Sequence, residues 1–241
     1  MAESRSYRTE ALVLRTYKLG EADRIAVLLT PDAGKVRGVA KGVRKTRSRL
    51  GNRLEPTSYV NAQLYKGRSD LQTITQTETI ETFTTLREDL DRLTAAASIL
   101  EAADHMSLEG EANPAMFQMV VGALRTVNRD HPELTVAGFF WKLLALEGFS
   151  PMLDECISCG SKTELDTFDI DDGGVRCAGC RRGRPISEQA ITIIKMMLGG
   201  QLGAALSLPS APATQEVNAL AAAALEHHVE RRLRSLTVLR E

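Results

Sequence analysis

The chain has 241 residues, of which 43% are hydrophobic, and its formal net charge is -1. This length exceeds that of most single domains, so we expect two or three small units. No apolar run approaches the roughly 18 residues of a membrane span and the N-terminal segment lacks the apolar core of a signal peptide, so a cytoplasmic protein is predicted.

The first part of the chain, residues 1–82, is predicted to form a small β-barrel. Period-2 alternation indicates five short strands, with turn residues between them, at 8–17, 23–30, 35–43, 57–66 and 71–80. Five closely spaced strands fit a closed barrel better than an open sheet, because the edges of an open sheet need protection.

The apolar spacing becomes helical from residue 84. Thr85 and Glu88 form a possible capping box ahead of the first helix. Further helices are predicted from Pro114, over 133–147, from Ser187 to residue 198, and over 214–236, with a linker at 206–214. The predicted fold class is α+β multidomain, with an α-helical body at 83–149 and 185–241.

Four cysteines lie in a module predicted at 150–184, inserted in the helical body. Cys156, Cys159, Cys177 and Cys180 have the spacing C-x2-C-x17-C-x2-C, which suits one tetrahedral structural zinc ion with no open coordination position. Gly160 and Gly179 are expected to relieve the tight turns. Two disulfides or redox-active pairs are the alternatives, and a cytoplasmic location argues against disulfides.

Positive charge is concentrated in the predicted barrel. Residues 1–80 carry 15 basic and 8 acidic side chains, a net of +7, whereas the remainder carries a net of -8. Alternation along 35–43 turns small and apolar residues inward and cations outward. A basic module of this kind favours polyanion binding over a solvated loop. The predicted binding cations are Lys35, Arg37, Lys41, Arg44, Lys45, Arg47, Arg49 and Arg53.

The tyrosines supply a second indication of nucleic-acid binding. All four tyrosines of the chain lie in the basic module, and alternation in 57–66 places Tyr59 and Tyr65 on its polar face. Cations beside exposed aromatic rings suit single-stranded nucleic acid, because phosphates are neutralised while bases stack on the rings. We therefore predict both tyrosines as binding residues, and the alternative for either one is that it only covers the outside of the barrel.

Sequence motifs for catalysis are missing. The chain contains no G-x4-G-K-[ST] loop, no G-x-S-x-G and no H-E-x-x-H. Glu21 and Asp23 suggest a metal-dependent nuclease, but no nearby acid completes the constellation. A non-enzymatic function is predicted.

Three segments together closely resemble the bacterial recombination mediator family RecO. They are GEADR at 20–24 within the first strands, the basic run after Gly34, and the cysteine pairs that follow GFSP at 148–151. The resemblance implies an N-terminal OB-fold, a helical body and a zinc module. By position, the eight cations match the family's basic segment and the four cysteines match its zinc ligands.

The resemblance also implies a function in DNA repair and recombination. Family members bind single- and double-stranded DNA, anneal complementary strands, and work with RecR to load RecA onto DNA coated by single-strand-binding protein, whose acidic C-terminal tail they contact. A zinc-containing regulator that binds one specific duplex or RNA structure, without annealing activity, is the main alternative. Competition between a single strand and an unrelated duplex separates the two interpretations.

Overall fold

The chain begins with five strands that close into a barrel. They are β1 (Ser6–Leu19), β2 (Asp23–Thr30), β3 (Gly34–Ala40), β4 (Tyr59–Tyr65) and β5 (Gln72–Glu81). Their order around the barrel is β1-β2-β3-β5-β4, in which β3 and β5 pair in parallel and the other neighbours are antiparallel. The five strands and the OB-like barrel predicted from the sequence are therefore confirmed.

Alternating side chains fill the barrel. Inward positions of all five strands contribute to one apolar core, including Ala11, Leu28, Val36, Leu64 and Ile74. The strands approach closely at Gly38, where an added Cβ would lie 2.6 Å from Cγ1 of Ile74. Only a residue without a side chain fits that position of β3 unless Ile74 shifts.

Three helices follow the barrel within the same unit. They are α1 (Thr84–Glu88), α2 (Leu90–Met106) and α3 (Pro114–Arg129). The predicted capping box is wrong: Phe83 precedes α1 without a side-chain cap, and the chain becomes extended at Asp89. Asp89 instead caps α2, because its side chain accepts a hydrogen bond from the backbone nitrogen of Arg92 (3.0 Å).

The second unit joins helices to a small sheet. After α4 (Thr135–Leu146), the strands β6 (Leu165–Asp169), β7 (Gly174–Cys177) and β8 (Arg184–Pro185) pair in the order β7-β6-β8. The helices α5 (Glu188–Leu198), α6 (Leu202–Leu206) and α7 (Pro212–His228) complete it. Helix α7 ends earlier than predicted, and the predicted linker at 206–214 contains the end of α6 and the first residues of α7.

The structure, a computed structural model, describes residues 5–43, 50–230 and 233–235. The chain divides into two compact units, Met1–Arg129 and Asp130–Glu241. The three-part division expected from the sequence, into 1–82, a helical body and an inserted module at 150–184, has other boundaries than these two units and stays a prediction. Over the described ranges, no helix combines the length and apolar character that crossing a membrane requires.

Candidate nucleic-acid interface and metal centre

Strand β3 carries its cations on the outer side of the barrel. Val36 and Ala40 are buried in the barrel core, whereas Arg37 and Lys41 are exposed. The predicted alternation is confirmed for Val36, Arg37 and Ala40, but it is wrong for Val43, which was expected on the outer face and is buried in the barrel core. Four of the predicted cations lie outside the described residues, namely Arg44, Lys45, Arg47 and Arg49.

Lys35 differs from its neighbours because the end of α2 covers it. Its Nζ donates a hydrogen bond to the carbonyl oxygen of Asp104 (2.6 Å) and lies 3.3 Å from the Oδ1 atom of that residue. The Nε atom of Arg15 lies 2.5 Å from Oδ2 of the same carboxylate, whose side chain is only 9% exposed. Lys35 therefore points out of the barrel as predicted, but the prediction that it is open to solvent is wrong, since this ion cluster joins α2 to β1 and β3.

A groove of about 830 Å³ opens at the start of β3. Its walls come from the starts of β1 and β3, the turn between β2 and β3, the turn between β4 and β5, and the segment after α2. Its charged lining residues are the cations Arg5, Lys35, Arg37 and Lys66 and the acids Asp32, Asp70 and Glu109. The groove therefore has a small cationic excess, and Arg37 is the predicted binding cation that is both exposed and part of it.

Another predicted cation, Arg53, lies in the short 3-10 turn Gly51–Arg53. Its Nη1 donates a hydrogen bond to the carbonyl oxygen of Thr77 (2.8 Å), yet the residue stays exposed. A guanidinium has five donors, so one backbone contact leaves others available to phosphate.

Tyr59 was predicted to be an exposed binding residue, and the structure corrects this prediction. The residue is only 5% exposed, because its ring packs edge-on against Phe117 of α3, with the ring centroids 5.8 Å apart. Its hydroxyl donates a hydrogen bond to the carboxylate of Glu10, and burial together with that bond raises the pKa of Tyr59 to about 12. The ring faces away from the barrel core, as alternation predicts, but no base can stack on it.

Two other tyrosines keep exposed rings. Tyr65, one of the predicted binding residues, is 40% exposed. Tyr17, which is not among the predicted binding residues, is 43% exposed. The guanidinium carbon of Arg15 lies 5.0 Å from the centroid of the Tyr17 ring, and this contact orients the ring. A β-bulge between Val13 and Arg15 interrupts the alternation of β1, so that Val13 lies in the barrel core while Arg15 and Tyr17 are exposed.

The four cysteines converge in the second unit. Cys156 and Cys159 lie in a turn before β6, Cys177 ends β7, and Cys180 ends the short 3-10 turn that follows β7. The backbone nitrogen of Ile157 donates to the carbonyl oxygen of Val175 (3.0 Å), which ties the first turn to β7. The two pairs are distant in sequence, and this pairing brings them together.

The sulfur positions fit a metal ion. All four Sγ atoms lie within 4.8 Å of one another, and those of Cys159 and Cys177 are 3.6 Å apart. A tetrahedral site with Zn–S bonds of about 2.3 Å separates its sulfurs by about 3.8 Å. All four cysteines are free thiols, so the disulfide alternative does not describe this structure and the cluster could bind a metal.

Of the two glycines predicted to relieve the tight turns around the sulfurs, Gly160 does so and Gly179 does not. Gly160 has a φ of 75° and its nitrogen donates to the carbonyl oxygen of Cys156 (2.8 Å), as a tight turn requires. Gly179 has no left-handed backbone, and a Cβ there would meet only the sulfur of Cys177, at 4.0 Å. The prediction is confirmed for Gly160 and wrong for Gly179.

The four thiols influence one another. A backbone hydrogen bond from Cys177 is the main reason why the pKa of Cys156 is lowered to about 6. For Cys159, a backbone hydrogen bond from Ser161 lowers the pKa, but hydrogen bonds with the other three thiols together raise it to about 12. Complete ionisation of this cluster therefore calls for a cation at its centre.

The suggested nuclease pair has a structural explanation. The Oδ1 atom of Asp23 accepts a hydrogen bond from the backbone nitrogen of Gly42 (2.7 Å), which closes the turn after β3. Within the described residues, the cysteine cluster is the group of three or more potential ligands that could hold a metal. Glu21 and Asp23 do not belong to such a group.

The fold and these two sites define a class: an OB-like barrel with a cationic groove, followed by a helical body that carries a four-cysteine cluster. Residues 1–83 match the family described as "Recombination protein O N terminal", and residues 87–237 match "Recombination protein O C terminal". The chain is 42% identical to "DNA repair protein RecO" of Frankia casuarinae over 240 residues, which cover 97% of this chain and 98% of that protein. The chain belongs to the recombination protein O family, a family of DNA repair and recombination.

Proposed function

We propose that the protein is a recombination mediator that binds single- and double-stranded DNA and anneals complementary strands. With RecR, it helps to load RecA onto DNA coated by single-strand-binding protein. The observation that carries this proposal is that both parts of the chain match the recombination protein O family. The exposed cations and tyrosines of the barrel provide the chemistry that such a protein needs.

Strand annealing requires contacts that leave the base edges free to pair. Exposed cations such as Arg37, Lys41 and Lys66 neutralise phosphates whatever the sequence. Tyr17 and Tyr65 offer ring faces on which bases stack with little sequence preference. Two strands held in this way have a high effective concentration for each other. No covalent step is involved, so we assign no catalytic residue.

The proposed protein partners follow from family membership. They are RecR, single-strand-binding protein through its acidic C-terminal tail, and RecA as the protein that is loaded. We place the protein in the cytoplasm, associated with the nucleoid. Zinc is the proposed metal, bound by Cys156, Cys159, Cys177 and Cys180 in a structural role, because four thiolates leave no coordination position for a substrate.

The function is tested by incubating labelled complementary strands with the protein and magnesium or manganese. Annealed, uncut product supports the mediator. Shortened strands would instead identify a nuclease.

Replacing Tyr17 with alanine is expected to weaken single-strand binding by roughly 5- to 150-fold, since stacking contributes about 1–3 kcal/mol per base. Fluorescence anisotropy with a labelled oligonucleotide measures the change. Tyr17→Phe keeps the ring and is expected to bind like the wild type. Equal affinity of all three proteins would remove Tyr17 from the interface.

A further inference from the structure

An acidic segment between α2 and α3, residues 107–112, lies along the first half of β3. The backbone nitrogen of Lys35 donates to the carbonyl oxygen of Leu108 (3.0 Å), and Glu109 bridges to Gly34 and Lys35. The fit is so close that a Cβ on Gly34 would lie 2.0 Å from the carbonyl oxygen of Glu111. Main-chain contacts alone therefore fix this acidic segment to the strand.

The side chain of Glu109 makes a separate contact. Its Oε1 lies 2.9 Å from Nε of Arg37, and both side chains are 46% exposed. An ion pair open to water contributes little to stability, so another anion can take the place of the carboxylate. The same groove contains both residues, and an incoming phosphate would meet them together.

The neighbouring cations differ in this respect. Lys35 and Arg15 share the carboxylate of Asp104, whose side chain is only 9% exposed. Displacing either cation would leave a shielded carboxylate without its counter-charge, which is strongly unfavourable. Of these three cations, Arg37 is the one whose partner can be exchanged.

We propose that Glu109 occupies the position of a DNA phosphate on Arg37 and that a bound strand displaces it. This inference rests on the proposed function, because it assumes that DNA enters the groove. When a phosphate replaces Glu109, Arg37 exchanges one carboxylate for one phosphate. The displaced carboxylate then lies beside the DNA with its charge unneutralised, so this contact produces no net release of counterions from the DNA. The acidic segment thus lowers the affinity for DNA and increases the rate at which a bound strand dissociates.

The test compares Glu109→Gln with Glu111→Gln, which removes the same charge from the same segment. The Glu111 side chain is exposed and, among the described residues, pairs with no cation. For a single-stranded oligonucleotide, E109Q is expected to bind about fivefold more tightly at 0.1 M salt, with a plot of log affinity against log salt steeper by about 0.7. E111Q is expected to stay close to the wild type.

Arg37→Ala, alone and combined with E109Q, distinguishes competition between Glu109 and DNA from the binding of DNA in the groove. Loss of the E109Q gain in the Arg37→Ala background supports direct competition for Arg37. Equal gains from E109Q and E111Q would overturn the inference and leave DNA binding in the groove intact, provided that Arg37→Ala weakens the binding of the E109Q variant. If Arg37→Ala changes nothing in either background, in proteins with an unaltered melting temperature, DNA does not use this groove, and that part of the proposed function fails as well.

Discussion

Replacing Cys156 with serine is expected to abolish zinc binding and to destabilise the second unit by at least about 4 kcal/mol, because loss of a structural metal is among the most costly changes. For a unit of this size, the expected fall in melting temperature is roughly 15 °C or more. The chain has one tryptophan, Trp141, which is 1% exposed and packs against Phe168 of β6 with the ring centroids 5.9 Å apart. Its fluorescence therefore reports on the unfolding of this unit.

Ser158→Ala is the matched control, because Ser158 is exposed in the same turn and contributes only its backbone to the thiol of Cys156. This variant is expected to retain about one zinc per chain and the wild-type melting temperature. Metal analysis of protein purified without chelator gives the zinc content. A wild-type protein with less than about half an equivalent of zinc, or a Cys156→Ser variant that melts like the wild type, would contradict a stable structural site.

Replacing Arg44, Lys45, Arg47 and Arg49 together with alanine is expected to weaken single-strand binding by about 10²- to 10³-fold at 0.1 M salt. Each lost phosphate contact reduces the slope of log affinity against log salt by about 0.7, so four contacts reduce it by about 3. The two proteins should converge in affinity near 1 M salt. Anisotropy titrations at several salt concentrations measure both quantities.

Thr46→Ala combined with Ser48→Ala provides the control, since it changes the same segment and keeps every cation. It is expected to bind like the wild type. If the fourfold alanine variant keeps its fold, its affinity and its salt slope, the basic segment does not bind phosphate.

Features set by neighbouring residues were predictable from the sequence. The alternation of Val36 and Ala40 with Arg37 needs only a few residues of β3, because a strand turns successive side chains to opposite faces. The two C-x2-C turns are equally local, and the convergence of their sulfurs follows the spacing rule for a tetrahedral metal. Strand positions and the convergence of the four cysteines were therefore accessible before the structure.

Features set by tertiary packing were not predictable in this way. Lys35 is partnered by Asp104, 69 residues away in sequence, and no local pattern relates the two. Tyr59 follows the alternation of β4 correctly, yet Phe117 of α3 covers its ring. Burial by a distant element changed which of the outward-facing residues remain available.

Strand annealing in the presence of single-strand-binding protein tests the central claim most directly. Two complementary labelled oligonucleotides are coated with that protein, and the formation of duplex is followed with and without the mediator at fixed salt. We expect coated strands to pair slowly alone and much faster when the mediator is added, with both strands recovered at full length. No acceleration on coated strands, in a protein that still binds bare single strands, would contradict a mediator role.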